Sequence, residues 1–243
     1  MTRRATNILG VVAIAMVATT IGLGLSLPRT VEQHEYSRLI AIHPPLAWVS
    51  YVSFGVTALA SAFYLWPRTR SRYWDLLAGA SAEISAVFTA LTLITGSIWG
   101  RPTWGVWWVW DARLTLTALM LALLLGYLAL RRVPGDVGAR GKRSAAVALA
   151  SAMVIPIDHF AVDWWTTLHQ DSSIERAKDT LGGPFVAAML VGFVAFTVFY
   201  AWLLVLRFRV EQLEDRFESD GLDQALAARR AEAFPRREPE VVG

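Results

Sequence analysis

The chain has 243 residues, 55% of them hydrophobic and only 18% charged, with a mean hydropathy of +0.42. A soluble domain of this size carries about a quarter charged residues, so a water-soluble enzyme, a nucleic-acid-binding module and a disordered tail are all excluded as the main body. The net charge is +3, but most basic residues flank apolar runs, the placement of orienting charges in a membrane protein rather than of a polyanion-binding face. There is no cysteine, which removes disulfides, thiolate metal sites, Fe–S clusters and thioether attachment of haem.

About 20 apolar residues span a bilayer as a helix. In chain order the candidates are Ile8–Leu27, Ile40–Trp66, Leu76–Ile98, Leu114–Leu130, Ser144–Ala161 and Pro184–Leu206. The fold class is therefore all-α, a polytopic membrane protein with six transmembrane helices. The first run follows Thr2-Arg3-Arg4 and resembles a signal peptide, but it is long and no small-x-small cleavage pattern follows, so it reads as an uncleaved span. The second is longer than a bilayer needs and either tilts or projects. The fifth is the weakest, because Pro156, Asp158 and His159 lie near its end. Residues 1–206 form the membrane domain; 207–243 read as a charged cytoplasmic tail, with a short helix around Val210–Phe217 and a loose end.

Thirteen Lys and Arg lie in 3–4, 68–72, 131–143 and 207–216, against six in 29–38, 101–113 and 176–178. The positive-inside rule places both termini in the cytoplasm and the loops 28–39, 99–113 and 162–183 outside. All four histidines (His34, His43, His159, His169) then fall on or beside the outer surface. So do eight of the eleven tryptophans: Trp48, Trp99, Trp104, Trp107, Trp108, Trp110, Trp164 and Trp165.

An aromatic belt accounts for one or two Trp per helix end on both faces. Here five indoles fall within the twelve residues Trp99–Trp110, and the cytoplasmic face has only Trp66, Trp74 and Trp202. Leaving five such rings in water would forfeit up to about 25 kcal/mol, so they dock on lipid, on other loops or on a flat apolar ligand. Gly100, Pro102 and Gly105 are expected to break helix at the start of this loop, and an interfacial helix from Trp107 is possible on pattern. Asp111 stands where an N-cap belongs, paired with Arg113 or in contact with a ligand as the alternatives.

His43, in Ile42-His43-Pro44-Pro45-Leu46-Ala47-Trp48, and His169, in Asp163-Trp164-Trp165-Thr166-Thr167-Leu168-His169-Gln170, are distant in sequence but share the outer side. Each alone reads first as an interfacial hydrogen-bonding residue; together they can provide two neutral imidazoles to one haem iron. Arg101, Arg113, Arg38 or Lys178 would then meet the propionates. The spacing matches no zinc pattern. Glu83 and Asp158 are acids within or near spans, where carboxylates are functional candidates by default, although Glu83 is near enough to the cytoplasmic end to be solvated or paired there.

The tract Gly96-Ser97-Ile98-Trp99-Gly100-Arg101-Pro102-Thr103-Trp104-Gly105-Val106-Trp107-Trp108-Val109-Trp110-Asp111-Ala112-Arg113-Leu114-Thr115 resembles the WWD signature of haem-handling proteins. Its Asp-Ala-Arg-Leu-Thr ending resembles the CcmC type, haem exporter protein C, more than the CcmF or CcsA types. The tracts around His43 and His159–Gln170 agree, and the resemblance covers roughly residues 35–205; Pro44-Pro45 departs from the usual single proline. The resemblance implies a six-span inner-membrane protein that binds haem b non-covalently, with His43 and His169 as axial ligands. It also implies a haem platform formed by the Trp loop. It further implies partners: the ABC-type subunits CcmA and CcmB, the small subunit CcmD, and the periplasmic haem chaperone CcmE. No turnover chemistry is expected. The rival readings are a b-type cytochrome exchanging electrons with quinone, which usually buries both histidines within its spans, and a partner subunit that binds no cofactor.

Overall fold

The computed structural model describes residues 2–31, 33–169 and 182–233. Its elements are α1 (Arg3–Ser26), a 3₁₀ helix (Glu35–Ala41), α2 (His43–Leu65), α3 (Arg72–Trp104), α4 (Ala112–Arg131), α5 (Val137–Ala152), α6 (Val154–His159), α7 (Ala161–Trp164) and α8 (Gly183–Ala233). Among the described residues five helices are long and apolar enough to cross a membrane, those built on α1, α2, α3, α4 and α8. The fold is an all-α polytopic membrane protein.

The stretch expected as a fifth span of six is divided among α5, α6 and α7. Pro156 has no N–H to give the carbonyl of Ala152, and the helix is interrupted at Met153, one residue beyond that carbonyl. A second interruption follows at Phe160. The overlong second span resolves differently. Its first residues wind as the 3₁₀ helix, and α2 begins afresh at His43 after Ile42 leaves helical geometry (φ −120°, ψ −53°).

The α2–α3 pair forms the most extensive interface, with α4 and α5 against one side and α8 against another; α1 packs chiefly on α8. Small hydroxyl residues line the central seam. Ser81 donates to the Ser53 carbonyl at 2.7 Å, Ser85 to the Ser50 carbonyl at 3.2 Å, and the Ser50 and Thr92 hydroxyls lie 3.2 Å apart. In lipid, close backbone approach and hydrogen bonds between helices replace the hydrophobic drive, which is why this core is rich in Ser, Thr and Ala. Large apolar residues face outward instead, among them Ile8, Val11, Leu59, Val87 and Val194, as a bilayer solvent allows.

At the Arg-rich end, buried Asp75 sits between Arg72 and Arg131, the latter at 2.6 Å, and Arg72 also reaches Asp215 on α8 at 2.7 Å. Glu83 is paired with Arg207, which also meets Glu211 at 2.9 Å. The helix expected around Val210–Phe217 is not a separate element. α8 runs unbroken for 51 residues, about 75 Å at 1.5 Å per residue, with its ion pairs to α3 holding the stretch past Leu206.

Candidate functional site

His43 is the first residue of α2. Pro44 and Pro45 follow it, tolerated there because first-turn N–H groups have no helical partner to lose. The ring Nδ1 lies 3.0 Å from the Thr95 hydroxyl on α3, and Trp99 packs edge-on with centroids 5.7 Å apart. Gly96 makes the room: a Cβ at that position would come within 3.0 Å of the His43 Cε1.

The helix α3 does not break at Gly100 or Pro102, as the sequence led us to expect. It continues to Trp104 and stops at Gly105, whose left-handed φ of 80° suits glycine. Gly100 serves packing, since the Trp104 ring lies where a side chain would stand. Arg101 donates to the Gly105 carbonyl at 2.7 Å, closing the helix end from an exposed position. Residues 105–111 form no interfacial helix.

Asp111 ends this loop and joins two structures. One oxygen accepts the Leu114 N–H at 2.8 Å and caps α4. The other accepts from His169 Nδ1 at 3.1 Å and from the Leu168 N–H at 3.2 Å. Trp104 meets the His169 ring edge-on at 4.9 Å. Burial holds the His169 imidazole below its ordinary 6.5 and Arg113 adds to this, while Asp111 opposes it; the ring is neutral at neutral pH. The carboxylate can only accept, so Nδ1 carries the hydrogen and Nε2 is the basic nitrogen.

His43 and His169, 126 positions apart in sequence, line one cavity of about 50 Å³ together with Tyr51, Arg113 and Asp158. Both rings are held through Nδ1, which leaves Nε2 for a metal. No tryptophan is among the cavity's described lining residues; Trp104 touches the site through His169. Trp107 and Trp110 are 60% and 80% exposed, large figures for indoles, and Trp108 sits edge-on to Trp110 at 5.4 Å. Trp164 stacks on Phe160 and abuts Trp165, both indoles half-exposed. Trp48 is turned elsewhere: its Nε1 donates to Thr197 on α8 at 3.0 Å and its ring packs on Phe193. Of the other basic candidates, Arg38 donates to the Leu27 carbonyl and pairs with Glu35, and Lys178 lies outside the described residues. His159 packs edge-on to Tyr51, and His34 is exposed in a loop with a positive φ of 49°.

Thr95 and Tyr51 escaped the reading of the sequence, and Gly96 entered it only as the first residue of the Trp tract. Only the crossing of α2 over α3 shows that Thr95 and Gly96 face His43.

Helices of this length define a polytopic membrane protein, in which two histidines distant in sequence line one cavity. The family model of haem exporter protein C matches residues 1–222. Over 217 residues the chain is 38% identical to haem exporter protein C of Bradyrhizobium diazoefficiens, covering 88% of this chain and 81% of that protein. It is 34% identical over 206 residues to the protein of the same name from Haemophilus influenzae, covering 83% of each. A putative ccmC-like mitochondrial cytochrome c biosynthesis protein of Marchantia polymorpha is 34% identical over 182 residues, 73% of this chain and 76% of that protein. The chain belongs to the haem exporter protein C family.

Proposed function

We propose that this protein holds haem b non-covalently at the outer face of the bacterial cytoplasmic membrane and passes it to the periplasmic chaperone CcmE during c-type cytochrome assembly. It works beside CcmA, CcmB and CcmD. The observation that carries this reading is the convergence of His43 and His169 on one cavity, with Trp104 packed against the His169 ring.

The residues fit an iron porphyrin in kind. Two imidazoles keep Nε2 for the metal, Arg113 offers a cation to a propionate, and Trp104, Trp107, Trp108 and Trp110 supply flat apolar surface. When bound, haem contributes the iron that the two imidazoles ligate. The cavity of about 50 Å³ is far below the several hundred Å³ of a typical ligand pocket, so loading must part the two rings. His43 is fixed by the α2–α3 seam, whereas His169 stands in a short non-helical segment tied through Asp111 and Trp104; the His169 side is the one that gives. Ligation and stacking are both reversible, which suits a protein that releases its cargo. The chain has no cysteine for thioether capture, and the reading assigns it no reaction of its own.

Packing of α5 on α2 and α4 supports counting α5–α6 as a sixth crossing, with both termini cytoplasmic and the Arg-rich end inside. The absorbance spectrum of detergent-purified protein tests the proposal. A bis-imidazole Soret band at one haem per chain, lost in His43→Ala and His169→Ala, is expected; the same band and stoichiometry in the double variant would refute it.

A further inference from the structure

Asp158 takes no part in the proposed ligation, yet it lies fully buried in the wall of the same cavity. Its Oδ2 accepts from the Tyr51 hydroxyl at 2.7 Å and from the Thr117 hydroxyl at 3.1 Å. The three residues come from α6, α2 and α4, so three helices meet on one carboxylate. Arg113, one turn before Thr117 on the same face of α4, lines the cavity with Tyr51 and Asp158. A buried carboxylate in a membrane protein is costly and is retained where it meets a partner charge. An arginine on a cavity wall has the complementary difficulty: its long stem must be held if the planar head is to receive a ligand in one orientation.

We propose that Asp158, acting through Tyr51, is a positioning residue for Arg113, so that the site selects a porphyrin with free carboxylates. Tyr51 and Asp158 share the cavity wall with the guanidinium, and its five N–H donors leave several for an acidic group of the ligand. The carboxylate and guanidinium together bring no net charge into the cavity wall. This inference rests on the haem-binding reading above and adds to it the source of discrimination.

The test titrates purified full-length protein with haem and with haem dimethyl ester, in which both propionates are blocked, following the Soret band. Wild type is expected to bind haem at least tenfold tighter than the diester. Asp158→Asn should bring that ratio close to one by weakening haem and leaving the diester unchanged, with the bis-imidazole spectrum intact. A merely structural role would weaken both ligands alike. If Asp158→Asn does not accumulate, Tyr51→Phe becomes the deciding variant, with the same fall in ratio expected. A wild-type ratio near one, or a wild-type ratio kept in the deciding variant, overturns the inference while leaving haem binding in place. Failure of wild type to bind either porphyrin would instead overturn the function.

Discussion

The side chain of Asp111 caps α4 through Leu114 with one oxygen and holds the His169 imidazole with the other, 3.1 Å from Nδ1. A single carboxylate thus fixes the start of a membrane helix and the orientation of a histidine 58 residues later. Such carboxylate–histidine pairs set the tautomer and raise the basicity of the remaining nitrogen. Asp111→Asn retains a capping oxygen but cannot accept at both positions as a carboxylate does. We expect the variant to keep near-native stability and to bind haem about tenfold or more weakly. Equal loss of thermal stability and of haem affinity would show that capping alone accounts for Asp111.

His169 also makes a pH dependence testable in ligand-free protein. Burial holds its folded-state value below 6.5, whereas in the unfolded chain it takes up a proton near that value. Above 6.5 both states are neutral and the group contributes nothing. As pH falls below 6.5 the unfolded chain gains a proton that the folded chain refuses, and the folded state loses stability. Side-chain nitrogen NMR in detergent should show His169 titrating below 6.5, and lower again in Asp111→Asn, because Asp111 is the group that opposes the shift. Titration at or above 6.5 would contradict a buried neutral ring.

Gly96 tests the fixed side of the pair. A methyl group there stands 3.0 Å from His43 Cε1, and the ring is pinned by Thr95 behind it. Gly96→Ala should shift the Soret and low-spin bands and lower haem stoichiometry, with helix content by circular dichroism unchanged.

Trp48 separates the site from the rest of the aromatic surface. It bonds Thr197 on α8, so Trp48→Phe should leave the haem spectrum and affinity within about twofold while costing about 1 kcal/mol of stability from the lost hydrogen bond. Trp104→Phe, beside His169, is expected to accelerate haem loss. Equal effects of the two substitutions on haem would remove the distinction.

At the opposite end, Asp75 lies between two arginines and is 4% exposed. Asp75→Ala leaves Arg131 without its carboxylate in a largely buried position, a change worth about 3 kcal/mol or more. Thermal unfolding in detergent should show this loss without a change in the haem spectrum of the folded fraction.

The spans around α1 to α4 and α8 were legible because a bilayer demands long unbroken apolar runs, and few sequences satisfy that by chance. The fifth was not, because one proline removes a single N–H and only packing decides whether the helix bends or stops. Gly100 and Pro102 misled for the related reason that breakers are tolerated where neighbours compensate: Trp104 covers the glycine, and the proline lies in the last turn of α3. Likewise, the pattern of α8 marks where apolar residues end and charged ones begin, but not whether the backbone continues. The ion pairs of that extension, Arg207 with Glu83 and Asp215 with Arg72, join residues 124 and 143 positions apart.

From its residue order alone this protein was set as a helical membrane chain with histidines and tryptophans gathered at one end. Hydropathy and charge placement are local, additive properties that a linear reading can sum. That His43 and His169 share a cavity, that Asp111 serves a helix and a histidine at once, that Trp48 turns away and that Asp158 lines the same cavity as Arg113 were decided by tertiary structure. Each depends on which faces of α2, α3, α4 and α6 meet, and rotation of a helix about its axis is fixed by packing against its neighbours.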